Sequence, residues 1–341
     1  MRVSTMLDYS RGVKASADHV AELERAGLDM VWVAEAYGLD APSQLGYIAA
    51  RTTRIELGSA ILPIFSRTPV LLAQTAAGID ALSEGRFNLG LGASGPQVIE
   101  GWHGVPYSKP LERTREIIGI CRQVWRREVV TNEGLYPIPL PPDRGTGLGK
   151  PLKLINRPVR ERIPVWVAAM GPKNVAMAAE MAEGWLPFLY WPERASDVWG
   201  GALAEGAARR PPELPPLEIA AGSLLAIGDD VEGLRDLLRP MAALYIGGMG
   251  ARGRNFYNTL TRRYGYEKEA EEIQELYLSG KKEEAAAAVP TELLEKTSLV
   301  GPAGYVRERI AAFEEAGVTV LNVSIAGDVA GTLAQVKEWT S

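Results

Sequence analysis

Few side chains in this sequence are equipped for chemistry, and most of them sit beside glycine-rich turns. Glu35 closes the apolar run Met30-Val31-Trp32-Val33 and offers a carboxylate for proton transfer or for holding a polar ring. His103, in Trp102-His103-Gly104, is a candidate acid–base or substrate contact, with a merely structural aromatic loop as the alternative. His19 falls in a helical stretch and reads as solvent-facing; Cys121, on an apolar helix face, reads as inert core. Gly90-Leu91-Gly92-Ala93-Ser94-Gly95 satisfies G-x-G-x-x-G directly after a strand-like run. It reads as a dinucleotide fingerprint, as a plain tight turn, or as a loop admitting a flat or phosphorylated cofactor. The fingerprint normally sits on the first strand–helix unit, whereas other units precede this one, so the third reading is favoured. Ala168-Ala169-Met170-Gly171-Pro172-Lys173-Asn174 is a strand end running into a helix that starts on Pro172, either an ordinary junction or an anion site made of free amides and the Lys173 cation. In Leu57-Gly58-Ser59-Ala60-Ile61-Leu62-Pro63 the small residues suit tight packing, or let a planar ring lie against the backbone.

The missing pieces narrow the chemistry further. There is no G-x-S-x-G elbow, Walker lysine motif, H-E-x-x-H or C-x-x-C, and two histidines with one cysteine leave no material for a histidine-rich or cysteine-rich metal centre. An enzyme without an evident nucleophile or metal borrows its reactivity, and a bound redox cofactor is the natural lender. Net charge is −5, from 37 Lys+Arg and 42 Asp+Glu, which opposes a nucleic-acid footprint. No run reaches the roughly 18 apolar residues of a membrane span, so the expectation is a soluble cytoplasmic enzyme acting on a small molecule.

The elements that must position these residues alternate. Strand-like runs at 2–7, 29–33, 55–60, 86–91, 165–169, 185–189, 217–227 and 320–324 are separated by helical patterns at 15–26, from Pro42, at 69–82, 111–127, from Pro172, and at 305–316, with a last helix to Trp339. The junctions Glu24-Arg25-Ala26-Gly27-Leu28-Asp29 and Glu314-Glu315-Ala316-Gly317-Val318-Thr319 echo each other near the two chain ends. That is what a closed repeat of strand and helix gives. The chain of 341 residues fits one α/β domain over 1–341, a (β/α)8 TIM barrel of about 250 core residues with insertion segments at about 128–162 and 231–300. A doubly wound sheet is the alternative.

On these residues the sequence resembles the bacterial luciferase-like superfamily of flavin and deazaflavin enzymes. The resemblance rests on Leu57–Pro69, Gln74, Asp80–Phe87, Gly90–Gly95 and Ala169–Asn174, while Gly95–Gly104 and the 145–154 loop look like its coenzyme F420-dependent oxidoreductase branch. It implies a barrel binding a deazaflavin at the C-terminal ends of the strands, a non-prolyl cis peptide at Ala60–Ile61 backing the ring, and a homodimer. It further implies cofactor contacts from Glu35, from Ser59, Ala60 and Ile61, from Ala93, Ser94, Gly95 and Gln97, and from Ala169, Met170, Gly171, Pro172 and Lys173, the last group holding a phosphate. The family's sugar-phosphate dehydrogenases carry Asp-His where this chain has Glu35-Ala36, and Ala36 cannot act as a base. Catalytic duty then falls to Glu35, His103 or Tyr37, or the substrate only accepts a hydride, as electron-poor alkenes, imines and carbonyls do. Two other readings stay open: a luciferase-like monooxygenase using FMN, and a non-catalytic deazaflavin-binding protein.

Overall fold

Parallel strands covered on both faces need apolar residues at nearly every position, and short runs of that kind recur through this chain. In the computed structural model, which describes residues 1–9 and 12–340, the strands are β1 (Arg2–Met6), β2 (Met30–Val33), β3 (Glu56–Ser59), β4 (Leu62–Pro63), β5 (Phe87–Gly92), β6 (Val165–Ala168), β7 (Gly184–Leu186), β8 (Glu218–Ala221), β9 (Leu224–Ile227), β10 (Leu299–Gly301), β11 (Val320–Asn322) and β12 (Ser324–Ile325). The large sheet runs β3-β2-β1-β11-β8-β7-β6-β5-β4, and pairing of β3 with β5 closes it into a (β/α)8 barrel. The helices are α1 (Val13–Arg25), α2 (Ala41–Ala49), α3 (Pro69–Leu82), α4 (Pro96–Ile99), α5 (Pro110–Trp125), α6 (Pro172–Met181), α7 (Pro192–Ala207), α8 (Arg239–Ala243), α9 (Phe256–Arg263), α10 (Glu267–Leu278), α11 (Lys282–Ala287), α12 (Thr291–Thr297), α13 (Ala303–Glu315) and α14 (Val329–Thr340). No helix among the described residues is long and apolar enough to cross a membrane.

The lumen is filled by two indoles made to fit by two glycines. Trp32 pairs in register with Gly58, and Trp166 with Gly184. A Cβ on Gly58 would lie 2.2 Å from the Trp32 ring, and one on Gly184 would lie 2.0 Å from the Trp166 ring. The indoles meet edge to face, with centroids 5.2 Å apart. Each buried indole N–H finds an acceptor, Trp32 on Ser4 Oγ and Trp166 on Asn88 Oδ1, both at 3.1 Å. Below them Arg2 pairs with Glu56 and Glu218 and plugs the N-terminal end of the barrel.

The continuous strand expected over 217–227 is broken. The chain turns at Gly222, where φ is +148°, and β9 leaves the barrel for a second parallel sheet ordered β10-β9-β12. That sheet takes β10 from the last residues of the 231–300 segment, a run of three that is too short to stand out in the sequence. Otherwise the segment is largely helical; Gly247 and Gly248 pack on Tyr277 inside a π-turn, and an irregular stretch begins after them. Residues 128–162 form a long irregular connection carrying one short 3-10 turn, Pro142–Arg144.

Candidate active site at the barrel mouth

In a closed parallel barrel every strand ends on the same face, so the residues singled out after β2, β3, β5 and β6 share one rim. The closing seam shapes that rim. After Gly58 the β3–β5 ladder is carried by a side chain: Ser59 Oγ donates to the Gly90 carbonyl and accepts from the Gly90 amide, each at 2.9 Å. The chain then bulges through Ala60–Ile61, whose peptide bond is cis, and β4 rejoins β5 at Leu62–Leu91. A Cβ at Gly90 would sit 1.7 Å from the Ser59 carbonyl oxygen, and one at Gly92 would sit 2.8 Å from Ile61 Cγ1. The first two glycines of Gly90–Gly95 are therefore seats for this bulge rather than a dinucleotide fingerprint. Ser59 is fully buried and its hydroxyl is committed to the seam, whereas Ala60 and Ile61 remain partly open at the mouth.

Glu35 stands at the rim with its carboxylate already engaged. Arg67 holds it through two hydrogen bonds of 2.6 and 2.9 Å, and the Ala41 amide at the start of α2 donates a third at 2.9 Å. Only 8% of the Glu35 side chain and 15% of the Arg67 side chain are exposed. The Tyr9 hydroxyl grips the preceding residue, donating to the Ala34 carbonyl at 2.7 Å and accepting from its amide at 2.6 Å. Burial pushes the Tyr9 phenol pKa up, which keeps it protonated for that double contact. Neither Arg67 nor Tyr9 stood out in the sequence; the one available signal was an arginine set inside an otherwise small and apolar run.

Beyond β5, Ser94 adopts a left-handed φ of +56° and its carbonyl accepts from Tyr107 Oη at 3.4 Å. Ala93, Ser94, Gly95 and Gln97 are all at least partly exposed on this loop, and Gly95 opens α4. His103 follows α4; its amide donates to the Val98 carbonyl, while its ring Nε2 is buried without a hydrogen-bond partner. Past β6, Trp185 Nε1 donates to the Ala169 carbonyl at 2.8 Å and Trp199 Nε1 to the Met170 carbonyl at 3.1 Å. These two buried indoles fix the loop from behind. Gly171 then serves as the N-cap of α6, Pro172 takes the first helical position, and Lys173 is exposed with no ion pair among the described residues. Pro172 has no N–H and the Asn174 amide donates to the Gly171 carbonyl at 3.0 Å, so the Lys173 amide, the Lys173 cation and the positive end of the helix dipole are what make the rim here receptive to an anion.

The opposite side of the mouth is aromatic. Phe188, beyond β7, lies 4.3 Å from Tyr245 and 5.7 Å from Tyr257 between ring centroids, so the 231–300 segment reaches over the barrel and packs on it. Burial drives the Tyr245 and Tyr257 phenol pKa values upward, with a smaller contribution to Tyr245 from Tyr37. Tyr37, 67% exposed, comes from the loop after β2. The described residues contain no cluster of His, Cys, Asp or Glu that would hold a metal ion.

Residues 1–320 match the luciferase-like monooxygenase family. The chain belongs to that family. Among its relatives, a Mycobacterium tuberculosis protein assigned to the coenzyme F420-dependent oxidoreductases is 44% identical over 99% of this chain and 97% of its own length. The methylenetetrahydromethanopterin reductase of Archaeoglobus fulgidus is 27% identical over 88% of this chain and 86% of its own. In three dimensions this luciferase-like chain superimposes on the coenzyme F420-dependent tetrahydromethanopterin reductase of Methanopyrus kandleri with a TM-score of 0.77, at 21% identity, covering 98% of this chain and 96% of that one. The family assignment makes the protein an oxidoreductase on a TIM-barrel scaffold.

Proposed function

We propose that this protein is a coenzyme F420-dependent oxidoreductase that moves a hydride between C5 of the deazaflavin and an electrophilic carbon of an organic substrate: an electron-poor alkene, imine or carbonyl. The observation that carries the reading is the make-up of the mouth. An open apolar bulge at Ala60–Ile61 stands on the same rim as the anion-receptive start of α6. A flat ring with a phosphorylated tail fits that pairing. Ala60, Ile61 and Ala93 would face the ring, Gly171, Pro172 and Lys173 the phosphate, and Ser94, Gly95 and Gln97 the connecting chain. When bound, the cofactor supplies the hydride.

The protein's own residues supply position, dryness and a proton. Ser59 acts one step back, by fixing the bulge through Gly90. Glu35, bound to Arg67, holds the loop after β2 in place rather than offering a free base. His103 Nε2 is buried without a hydrogen-bond partner beside the rim, and in reduction of a carbonyl or imine we assign it the proton that goes to the heteroatom as carbon accepts the hydride. The Phe188–Tyr245–Tyr257 group supplies an aromatic wall that would shield bound substrate from water. The same reading makes the enzyme a cytoplasmic homodimer, for which light scattering should return twice the mass of a single chain.

Equilibrium titration of the purified protein with oxidised F420 and with FMN, followed by absorbance and fluorescence, tests the assignment. Micromolar or tighter F420 binding with weaker FMN binding is the expected result. Preference for FMN would move the chain to the oxygen-using branch of the family, and binding of neither would overturn the cofactor assignment.

A further inference from the structure

Beyond the C-terminal ends of β1 and β2, beside the starts of α1 and α2, lies a cavity of about 360 Å³. That size falls within the roughly 300–1,000 Å³ of small-molecule sites. None of the residues assigned above to the ring, the phosphate or the proton is among the described residues that line it. Glu35 stands between two that do, Ala34 and Ala36, but its carboxylate is taken by Arg67 and the Ala41 amide.

The chemistry of the cavity follows from how little its walls offer. Gly12, Ala34, Ala36 and Gly38 contribute backbone and at most a methyl group, with Tyr9 and Leu39 as the larger surfaces. No described lining residue carries a charge. Both hydroxyls are engaged: Tyr9 Oη exchanges two hydrogen bonds with the Ala34 backbone, and Ser16 Oγ donates to the Asp8 carbonyl. Gln44 is the exception. It is 3% exposed, its Nε2 donates to the Asp40 carbonyl at 3.2 Å, and its Oε1 has no hydrogen-bond partner. Because a carbonyl only accepts, the Asp40 contact fixes which end of the amide is the oxygen. A buried acceptor left unpaired is costly, and a donor brought by a ligand removes that cost.

Gly38 shows that the space is not a by-product of crowded packing. Its φ lies outside the left-handed region, and a Cβ there would meet no atom within 4 Å. Neither strain nor crowding calls for glycine at this position, and its missing side chain leaves the cavity open.

We propose that this cavity binds a neutral, flat ring compound carrying one hydroxyl or N–H group, which lies against the backbone of 34–38 and donates to Gln44 Oε1. The occupant is a molecule other than the cofactor, and the assignment does not depend on the hydride-transfer reading.

Fluorescence titration of the full-length, cofactor-free protein with 2-naphthol and with its methyl ether, 2-methoxynaphthalene, tests this. The two differ in the donor and share the ring. Naphthol should bind saturably at one site, about threefold to tenfold more tightly than the ether. Gln44→Leu should abolish that preference and leave the affinity for the ether in place. Gly38→Leu, whose new side chain projects into open space, should fold normally and weaken both compounds by about tenfold or more. Non-saturable binding, equal affinities in the wild type, or wild-type affinity in Gly38→Leu would each overturn the proposal. Should Gln44→Leu fail to fold, as judged by its thermal transition, the naphthol–ether comparison and Gly38→Leu decide. Displacement of bound naphthol by F420 would place the compound in the cofactor's seat and overturn the assignment as well. Failure of F420 to bind, beside normal naphthol titrations, would strike only the cofactor reading.

Discussion

At the end of the second strand the Glu35 carboxylate accepts two hydrogen bonds from Arg67 and a third from the Ala41 amide, although the two ion partners lie 32 positions apart in the chain. A sequence shows the acid at the strand end but not its partner, so free carboxylate and clamped carboxylate read alike until the loops are folded. The clamp has consequences that an exposed acid would not. Removing Glu35 leaves a largely buried guanidinium unpaired, and removing Arg67 leaves a buried carboxylate, an imbalance of about 3 kcal/mol in comparable sites. Lys173, by contrast, is an exposed cation whose contact with a phosphate is screened. We therefore expect Glu35→Ala to lower turnover or F420 affinity by more than tenfold and Lys173→Ala by about fivefold at most, the latter shrinking further as salt is raised. Parallel F420 titrations and turnover assays of the two variants check this. Wild-type affinity and turnover in Glu35→Ala would remove the clamp from the account.

Between elements, the outer helices are joined by charge as well as by apolar packing. Glu180, near the end of α6, accepts from Arg115 of α5 at 2.6 and 2.8 Å and from Arg209, just past α7, at 3.0 Å. Hydrogen bonding from Arg115 is the largest influence, and despite partial desolvation the Glu180 pKa is lowered from 4.5 to about 2. A folded value below the unfolded one means that the pair's stability is fully present above about 4.5 and is lost as pH falls toward about 2. With both arginines partly solvent-screened, the loss should be roughly 2 kcal/mol. Denaturant titrations between about pH 5 and pH 3 should show Glu180→Gln losing less stability than the wild type across that window. Identical pH slopes in the two proteins would assign the acid sensitivity elsewhere. The elements themselves were unevenly legible. Pro69–Leu82 is a helix over the span expected, because Thr68 caps it, accepting from the Leu71 amide, and Pro69 occupies its first position. The break at Gly222 was hidden, because a glycine inside an apolar run does not declare whether the strand bulges or changes sheets. Arg67, Tyr9 and Phe188 escaped notice for a related reason: each acts through a contact made only by folding.

At the scale of the whole barrel, stability and chemistry occupy opposite ends. The N-terminal end is closed by Arg2 with Glu56 and Glu218, the middle is filled by Trp32 and Trp166, and the C-terminal rim carries the bulge, the start of α6 and the aromatic group. The alternation of strands and helices made the closed barrel readable, and the small residues of Leu57–Pro63 left two readings open, packing or a platform for a ring. Both hold, at different positions: Gly58 makes room for an indole, while Ala60 and Ile61 stay open at the mouth. The arrangement separates two kinds of mutational effect. A methyl group at Gly184 has nowhere to go, since its Cβ would fall 2.0 Å from the Trp166 ring in a lumen closed on all sides. Gly184→Ala should therefore destabilise the protein by at least the roughly 1–3 kcal/mol typical of overpacked cores. Trp166→Leu alone should also be destabilising, because it opens a cavity and strands the Asn88 Oδ1 acceptor. Combined, the two changes relieve each other: the space vacated by the indole accepts the new methyl group. A double-mutant cycle by chemical denaturation should give a favourable coupling of about 1 kcal/mol or more between these neighbours. Strict additivity would mean that the lumen repacks freely around a Cβ at position 184, and would undo the argument that glycine and tryptophan were fitted to one another there.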